Sequence, residues 1–225
     1  MSNILAIDTS GQHLSVALLA QGKTFSTLEN VGNKQSHYLI KTIDSLLTSA
    51  GIEAQAIDLI AYVEGPGSFT GLRVGLSVAL GISLGSSAKL IAIPTFALYA
   101  KASEYSGDVV VGIDARLGQL YLAGINAKTL DYFMMPEVVN PEHVEVIKPC
   151  KLIGDGFNVY KDQLNHILTN YELLNDAYPN AKYMLDIVAL DKYPQVSAAD
   201  ANLAYIRNKV ALTLDEQRQQ KMINN

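Results

Sequence analysis

The sequence predicts an α/β protein built from two duplicated halves, each with its own mixed β-sheet. The N-terminal part alternates short apolar runs with two helical segments, as a sheet covered by helices requires. Its opening segment, Ile7–Ala17, aligns without gaps on Ile113–Ala123. In both halves a strand, a glycine turn and a helix follow further along the chain. Similar elements in the same order indicate a duplication.

The first half opens with three short strands. Ile4–Asp8 is an apolar run, and Gly11 with Gln12 forms the turn that follows it. Leu14–Ala20 is the second strand, and Thr24–Leu28, which alternates in character, is the third. Strands separated by so few residues pair with each other, so we predict an antiparallel meander.

Two helices and two further strands complete the first half. Ser36–Ala50 carries apolar side chains at helical spacing and ends at Gly51. Asp58–Val63 and Leu90–Ile93 are nearly continuous apolar runs, which are typical of strands covered on both faces. A helix from Gly71 to Gly85 is predicted between them.

The second half is less regular. Lys151–Gly156 repeats the strand-and-glycine step, and helices are predicted over Phe157–Leu168 and Ala181–Leu190. The apolar pattern is interrupted at Ser103–Gly107, which divides the chain into residues 1–104 and 105–225. Two facing halves of this kind form the architecture of actin, Hsp70 and sugar kinases. We therefore predict an actin/Hsp70-like (ASKHA, ribonuclease H-like) fold.

Composition excludes several classes of protein. The chain has 225 residues, of which 49% are hydrophobic, so it can bury a large core and is not intrinsically disordered. Its net charge of −5 argues against a dedicated nucleic-acid binder. The single Cys150 excludes an internal disulfide and indicates a cytoplasmic protein. Met1–Ser10 lacks a basic leader, and the charge-free stretch between Arg73 and Lys89 is shorter than the roughly 20 residues that span a membrane.

The segment Glu64–Gly71 is a glycine-rich loop between a predicted strand and a predicted helix. It is not a Walker loop, because no Lys-Ser/Thr pair follows the last glycine, and its glycine spacing is not that of a dinucleotide-binding loop. Two interpretations stay open: a rigid turn that brings strand and helix together, or an anion or nucleotide contact at the helix N-terminus. The candidate residues are Asp8, Thr9, Gly65, Gly67, Ser68 and Thr70.

Asp8 and Asp114 each end a strand at the start of a turn. In phosphotransferases of this fold such aspartates hold a metal and a phosphate, whereas in an Asx-turn the carboxylate accepts nearby backbone amides. The four histidines are scattered and have no metal-ligand spacing, so no metal site is expected. Cys150 has no neighbouring base, so no catalytic nucleophile is expected either.

The helix from Gly71 is apolar on every side. Small residues recur every four positions, and two rows of larger apolar residues cover the remaining faces. Such a helix must be buried on nearly every side, so we expect another helix of this chain or a second subunit to cover it. The small residues are Gly71, Gly75, Ala79 and Ser83.

Arg73 lies in the first turn of that predicted helix. A cation there opposes the helix dipole, so an anionic partner is expected. Glu64, a ligand and another chain are the three possibilities.

Three segments together resemble the TsaB family, also called YeaZ. They are Ile4–Ser10, the long stretch Gly65–Gly75 and Asp114–Tyr121, and the element Tyr205–Ala211 adds a fourth similarity. Glu64, Gln119 and Leu203 depart from the residues usual at those positions in the family.

The resemblance implies a non-catalytic protein in threonylcarbamoyladenosine (t6A) synthesis at adenosine 37 of tRNA. Its relative TsaD transfers the threonylcarbamoyl group with metal ligands from an H-x-x-x-H motif, which is absent here. TsaB proteins pair with TsaD and with themselves, and the ATPase TsaE joins the TsaB–TsaD pair. No cofactor, no membrane and only indirect tRNA contact are implied.

The resemblance also implies a partner-binding surface on the helices of residues 1–104, the half that would mediate dimerisation. The alternative function is a small ATPase or phosphotransferase that uses Asp8 and the glycine-rich loop, whereas a glycoprotease is disfavoured because no nucleophile, base and oxyanion site can be assembled. The implied interface residues are Ser36, Leu39, Ile40, Ile43, Leu47, Gly71, Leu72, Arg73, Gly75, Leu76, Val78, Ala79 and Ile82.

Overall fold

The computed structural model describes residues 2–174 and 178–207. The first half contains five strands and three α-helices, and a short 3-10 helix at Ala54–Ala56 precedes the fourth strand. In chain order these are β1 (Ile4–Asp8), β2 (His13–Ala20), β3 (Lys23–Asn30), α1 (Gln35–Ala50), β4 (Leu59–Gly65), α2 (Phe69–Ser86), β5 (Lys89–Pro94) and α3 (Thr95–Ala102).

The first half folds as the sequence predicts. β1, β2 and β3 form an antiparallel meander, and β4 and β5 continue the sheet parallel to β1. Both α1 and α2 begin within two residues of the expected positions. Gly51, in the left-handed conformation, ends α1. These five strands lie in the order β5–β4–β1–β2–β3, with β1 in the middle.

The second half repeats this arrangement with shorter elements. Its strands and helices are β6 (Asp108–Arg116), β7 (Gln119–Asn126), β8 (Tyr132–Val139), β9 (Lys151–Ile153), α4 (Gly156–Val159), α5 (Asn165–Leu168) and β10 (Leu173–Leu174). The sheet order β10–β9–β6–β7–β8 reproduces that of the first half, with the same parallel and antiparallel pairs. The duplicated mixed α/β fold is therefore confirmed.

One core lies between the two sheets. The inward sides of the central strands, for example Ala6 of β1 and Val111 of β6, pack in one apolar cluster with α3 and with α6 (Ala181–Ala189). A second cluster lies on the other face of the first sheet, where Leu5 and Ile7 pack under α1 and α2. Because neighbouring residues of a strand face opposite ways, β1 serves both clusters.

Two expectations for the C-terminal part are corrected. The predicted helix Phe157–Leu168 consists of the short helices α4 and α5, with non-helical residues between them. In addition, α6 packs on the first sheet, and β11 (Gln195–Val196) pairs with β5 of the first half. Residues 103–107 do connect α3 to β6, but elements later than residue 180 return to the first half.

Candidate functional site

The glycine loop, Glu64–Gly71, is fastened to the turn that follows β1. The backbone N–H of Ser68 donates to the carbonyl of Ser10 at 2.7 Å, and Thr9 Oγ1 donates to the carbonyl of Gly71 at 2.8 Å. Ser68 caps α2, since its Oγ accepts the N–H of Gly71 at 3.2 Å. From the other side Thr95 Oγ1 donates to the carbonyl of Pro66 at 2.6 Å. Hydrogen bonds from β1's turn and from α3 thus hold the loop in place.

The glycines of this region are required by close packing. A Cβ added to Gly71 would lie 2.0 Å from the carbonyl oxygen of Thr9, and one on Gly67 would lie 2.7 Å from that of Ser10. A Cβ on Gly75 would lie 2.5 Å from Thr9 Oγ1. Gly65 has a φ of +121°, a region that favours glycine. The space beneath the loop is therefore filled by the chain itself, which supports the rigid-turn interpretation.

Asp8 is buried and forms an Asx-turn. Its Oδ1 accepts the backbone N–H of Ser10 at 2.9 Å and Ser10 Oγ at 2.7 Å. Burial raises the pKa of Asp8 above its ordinary value of 3.8, while the hydrogen bonds from Ser10 act in the opposite direction. Ser68 and Thr70, the other polar candidates, are exposed.

Asp114, the equivalent residue of the second half, is held in a similar way. Its Oδ1 accepts the backbone N–H of Arg116 and the hydroxyl of Tyr160, both at 2.8 Å, and its Oδ2 pairs with the Arg116 guanidinium at 2.9 Å. No group of three or more His, Cys, Asp or Glu side chains that could hold a metal occurs within residues 2–174 and 178–207. Turn formation accounts for both aspartates.

Replacement of Asp8 distinguishes two roles for this residue: an acceptor that forms the turn, or a ligand of a metal and phosphate. Because the folded-state pKa is raised, the charged carboxylate lowers stability at neutral pH, and this cost disappears below the unfolded pKa near 3.8. Asp8→Asn keeps an oxygen acceptor and should be at least as stable as the wild type at pH 7, with the difference narrowing as the pH falls towards 4. Asp8→Ala leaves the Ser10 amide unpaired and should lose about 1–3 kcal/mol.

Urea unfolding at pH 7 and pH 4 measures both effects. If Asp8 instead served a metal and phosphate, Mg-ATP would raise the midpoint of the wild type and leave that of Asp8→Asn unchanged, contrary to our expectation.

The structure places the implied interface residues at three depths. The buried ones pack against this chain's own core, beneath the exposed sides of α1 and α2. The half-buried ones flank the helices, and only two are exposed. Buried are Leu39, Ile43, Leu47, Gly71, Leu72, Gly75 and Ala79; half-buried are Arg73, Leu76, Val78 and Ile82; exposed are Ser36 and Ile40.

The outward side of α2 is apolar and uncovered by the described residues. Phe69 is 63% and Leu84 78% exposed, and Ile40 of the neighbouring α1 is 67% exposed. Gly81 has no atom within 4 Å of where its Cβ would lie. The following exposed residues of the two helices are called the α1/α2 surface below: Ser36, Ile40, Phe69, Ser77, Gly81, Leu84 and Gly85.

The sequence left open whether this chain or a second subunit covers α2, and the described part of the chain leaves its outward side uncovered. The helix is long and apolar enough to cross a membrane by length and composition alone, yet 28% of it is buried in this fold and its Gly71–Gly75 side lies on the sheet. Phe69, Gly81 and Gly85 were not among the interface residues that the resemblance implied. The sequence pattern that could have identified Gly81 and Gly85 is a second row of small residues, Ser77, Gly81 and Gly85. It has the same four-residue spacing as the buried row but lies on the opposite side of the helix.

Comparison with known proteins supplies the family. The model of the family TsaD, described as tRNA N6-adenosine threonylcarbamoyltransferase, matches residues 29–185 and so includes both α1 and α2. The tRNA threonylcarbamoyladenosine biosynthesis protein TsaB of Escherichia coli is 29% identical over 92% of this chain and 96% of its own. That of Haemophilus influenzae is 28% identical over 92% of this chain and 94% of its own.

A solved structure agrees with these relatives. YeaZ from Pseudomonas aeruginosa superposes with a TM-score of 0.79 at 27% identity, covering 91% of this chain and all of its own. The similarity therefore extends over both halves and includes the α1/α2 surface. The chain belongs to the TsaD family, described as tRNA N6-adenosine threonylcarbamoyltransferase, and is similar over nearly its whole length to TsaB (YeaZ) proteins.

Proposed function

We propose that this chain acts in tRNA threonylcarbamoyladenosine biosynthesis as a non-catalytic subunit that binds TsaD through the α1/α2 surface. The observation that carries the proposal is the apolar outward side of α2, which the described residues leave in contact with solvent. Contiguous exposed apolar patches are uncommon on monomeric proteins and mark binding sites for other proteins. Burial of Leu84, Phe69 and Ile40 would each contribute roughly 1.5–3 kcal/mol.

The shape of the surface favours a partner with the same fold. The TsaD family model covers α1 and α2 of this chain, so we expect a TsaD protein to have an equivalent pair of helices. Two such pairs can pack against each other about an approximate two-fold axis, as helix pairs do in isologous interfaces. A second copy of this chain offers the same surface, so homodimer and TsaD heterodimer would exclude each other. TsaE would join the heterodimer.

A non-catalytic role agrees with the state of the glycine loop and the two aspartates. Asp8, Asp114 and the glycines of the loop are engaged in hydrogen bonds or close packing within the fold, and burial raises the pKa of the Cys150 thiol. With a net charge of −5, the chain would leave most tRNA contact to its partners in the cytoplasm. The alternative, a small ATPase or phosphotransferase, requires binding and turnover of Mg-ATP by the lone chain, which isothermal titration would detect.

Replacement of Leu84 by glutamate tests the surface directly. A charge in the centre of an apolar contact would be desolvated without a partner, so we expect Leu84→Glu to weaken the affinity for TsaD about 10- to 100-fold. Because Leu84 is 78% exposed, its replacement should leave the unfolding midpoint nearly unchanged. Titration calorimetry with purified TsaD measures the affinity.

Leu117→Glu is the matched control. Leu117 is 79% exposed in the turn between β6 and β7 of the second half, outside the α1/α2 surface. We expect it to bind TsaD like the wild type. Equal affinities of wild type and Leu84→Glu would contradict the proposed surface, whereas equal losses in both variants would place the contact elsewhere.

A further inference from the structure

A fixed arginine lies at the N-terminal end of the α1/α2 surface. The Arg73 guanidinium is 3.3 Å from the centre of the Phe69 ring, and its Nη1 donates to the Phe69 carbonyl at 3.0 Å. On its other side Nη2 donates to the hydroxyl of Tyr205 at 2.6 Å. Two aromatic side chains therefore hold one cation from two directions, an arrangement that suits the planar guanidinium. Phe69, Arg73 and Tyr205 are called the arginine cluster below.

Tyr205 comes from a segment far away in the sequence. Asn202 accepts a hydrogen bond from the Tyr62 hydroxyl at 2.8 Å, and the N–H of Ala204 donates to the carbonyl of Glu64 at 3.0 Å. Leu203 packs in the apolar clusters between these two contacts, and Arg207 donates to Gln119 Oε1 at 2.8 Å. The segment is thus anchored on both sides of Tyr205. The position of its hydroxyl beside Arg73 follows from these contacts.

The charge of Arg73 is not neutralised by the described part of the chain. Each of the four ion pairs formed there joins other residues, and both acceptors of Arg73 are uncharged. Glu64, which the sequence offered as a partner, is not paired with it, and burial raises the pKa of its carboxyl. α2 begins at Phe69, so Arg73 is in its second turn and still near the positive end of the helix dipole. A carboxylate from outside would compensate this charge.

Arg73 is continuous with the apolar surface. Arg73, Ser77, Leu80 and Leu84 follow each other at one-turn intervals, so they share the outward face of α2. Phe69 and Tyr205, which is 56% exposed, leave apolar area beside the guanidinium. Arginine and aromatic side chains are the residues that dominate binding energy in protein interfaces. The cluster therefore has the composition of an interface anchor.

We propose that the arginine cluster binds a carboxylate of the TsaD partner at the edge of the α1/α2 surface. The inference rests on the proposed function and specifies which polar contact gives that interface its specificity. Arg73 offers a planar pair of N–H groups that match a carboxylate, and its stacked position means little side-chain freedom is lost on binding. Because this chain is acidic overall, an acidic segment would otherwise be repelled, so the fixed cation determines where it binds.

The test measures TsaD affinity for three variants of the full chain over a range of salt concentrations. Arg73→Gln should weaken binding about 10- to 100-fold at low salt, as expected for loss of a charge-assisted pair. The difference in affinity between the wild type and Arg73→Gln should become smaller as the ionic strength rises. Arg73→Lys keeps the charge but loses the planar pair of N–H donors, so this variant should bind TsaD with an intermediate affinity. The control is Lys161→Gln, which makes the same charge change at an exposed residue of the second half. It should bind TsaD like the wild type.

Tyr205→Phe tests the positioning of Arg73 without changing charge. It removes the hydroxyl that accepts from Nη2 and keeps the ring, so we expect about a 3- to 10-fold loss of affinity at low salt. In an Arg73→Gln background the same change should have no further effect on affinity, because the two residues act through one contact. Additive losses would contradict the positioning role. This variant also keeps the proposal testable if Arg73→Gln folds poorly.

Other outcomes overturn the proposal in distinguishable ways. If Leu84→Glu blocks binding while Arg73→Gln binds like the wild type, the surface stands and the carboxylate contact is wrong. If Arg73→Lys and Arg73→Gln lose affinity equally at every salt concentration, Arg73 only maintains the start of α2. If Asp215→Asn with Glu216→Asn reproduces Arg73→Gln and the changes are not additive, the carboxylate belongs to this chain.

Discussion

Replacing Gly71 with alanine is expected to lower the free energy of unfolding by more than about 4 kcal/mol or to prevent folding. The same replacement at Gly81, in the same helix, is expected to raise it by about 0.5–1 kcal/mol. A single methyl group thus has opposite effects at two glycines of α2. The difference arises from what each glycine faces.

At Gly71 the methyl group meets backbone that cannot move away. Its Cβ would lie 2.0 Å from the carbonyl oxygen of Thr9, far inside van der Waals contact. Thr9 directly follows β1, which is paired on one side with β2 and on the other with β4. Thr9 Oγ1 also donates to the Gly71 carbonyl, so relief of the overlap breaks this bond and shifts α2 away from the sheet.

At Gly81 the methyl group enters open space. No atom of the described chain lies within 4 Å of the added Cβ, and the residue is exposed. The only expected change is the gain in helix propensity from glycine to alanine. Urea unfolding monitored by circular dichroism measures both variants. A Gly71→Ala protein of wild-type stability would show that α2 can leave Thr9, which the packing does not allow.

The sequence predicted the fold well where local pattern and pairing agree. Short apolar runs, few residues between strands and the gapless match of Ile7–Ala17 on Ile113–Ala123 were sufficient for two mixed sheets of the same order. The row of small residues from Gly71 to Ser83 was predicted to be a close-packing face of α2. In the structure its first members, Gly71 and Gly75, pack against Thr9 and β1. Periodicity reports which residues share a face, so these features can be read from the chain alone.

Other features depend on contacts that no local pattern records. β11 is two residues long and pairs with the edge of β5, and α6 packs on the first sheet although it follows the second. The division of Phe157–Leu168 into two helices has no glycine or proline to mark it. In the arginine cluster, Arg73 and Tyr205 are in contact although they are 132 residues apart in the sequence. Such long-range placements require the tertiary structure.

Bulky replacements of Gly81 are expected to give the largest loss of TsaD binding. An exposed glycine inside a helix costs up to about 1 kcal/mol relative to alanine, and nothing in the described fold requires it there. The proposed interface with TsaD offers a reason for a glycine at this position. A helix of the partner that crosses α2 at Gly81 could approach the backbone closely, as helices do where small residues meet. In that contact Gly81→Leu would overlap with partner backbone and should weaken binding about 100-fold or more.

The measurement is titration of TsaD with Gly81→Ala, Gly81→Leu and a control. Gly11→Leu is matched, because Gly11 is also exposed, has open space around its Cβ and lies outside α2. It should bind like the wild type. Wild-type affinity of Gly81→Leu would show that no partner backbone approaches at this position, even if Leu84→Glu blocks binding.

The alanine variant separates a binding requirement from a folding requirement. Gly81→Ala should unfold at higher urea than the wild type and yet bind TsaD more weakly, since one methyl group in a tight contact costs about 1–3 kcal/mol. Stability and affinity would then change in opposite directions through the same atom. A residue kept only for the fold cannot behave in this way, because its best replacement improves stability without a loss elsewhere. Higher stability with weaker TsaD binding would therefore assign Gly81 to the interface. Higher stability with stronger binding would show that Gly81 is not an interface residue.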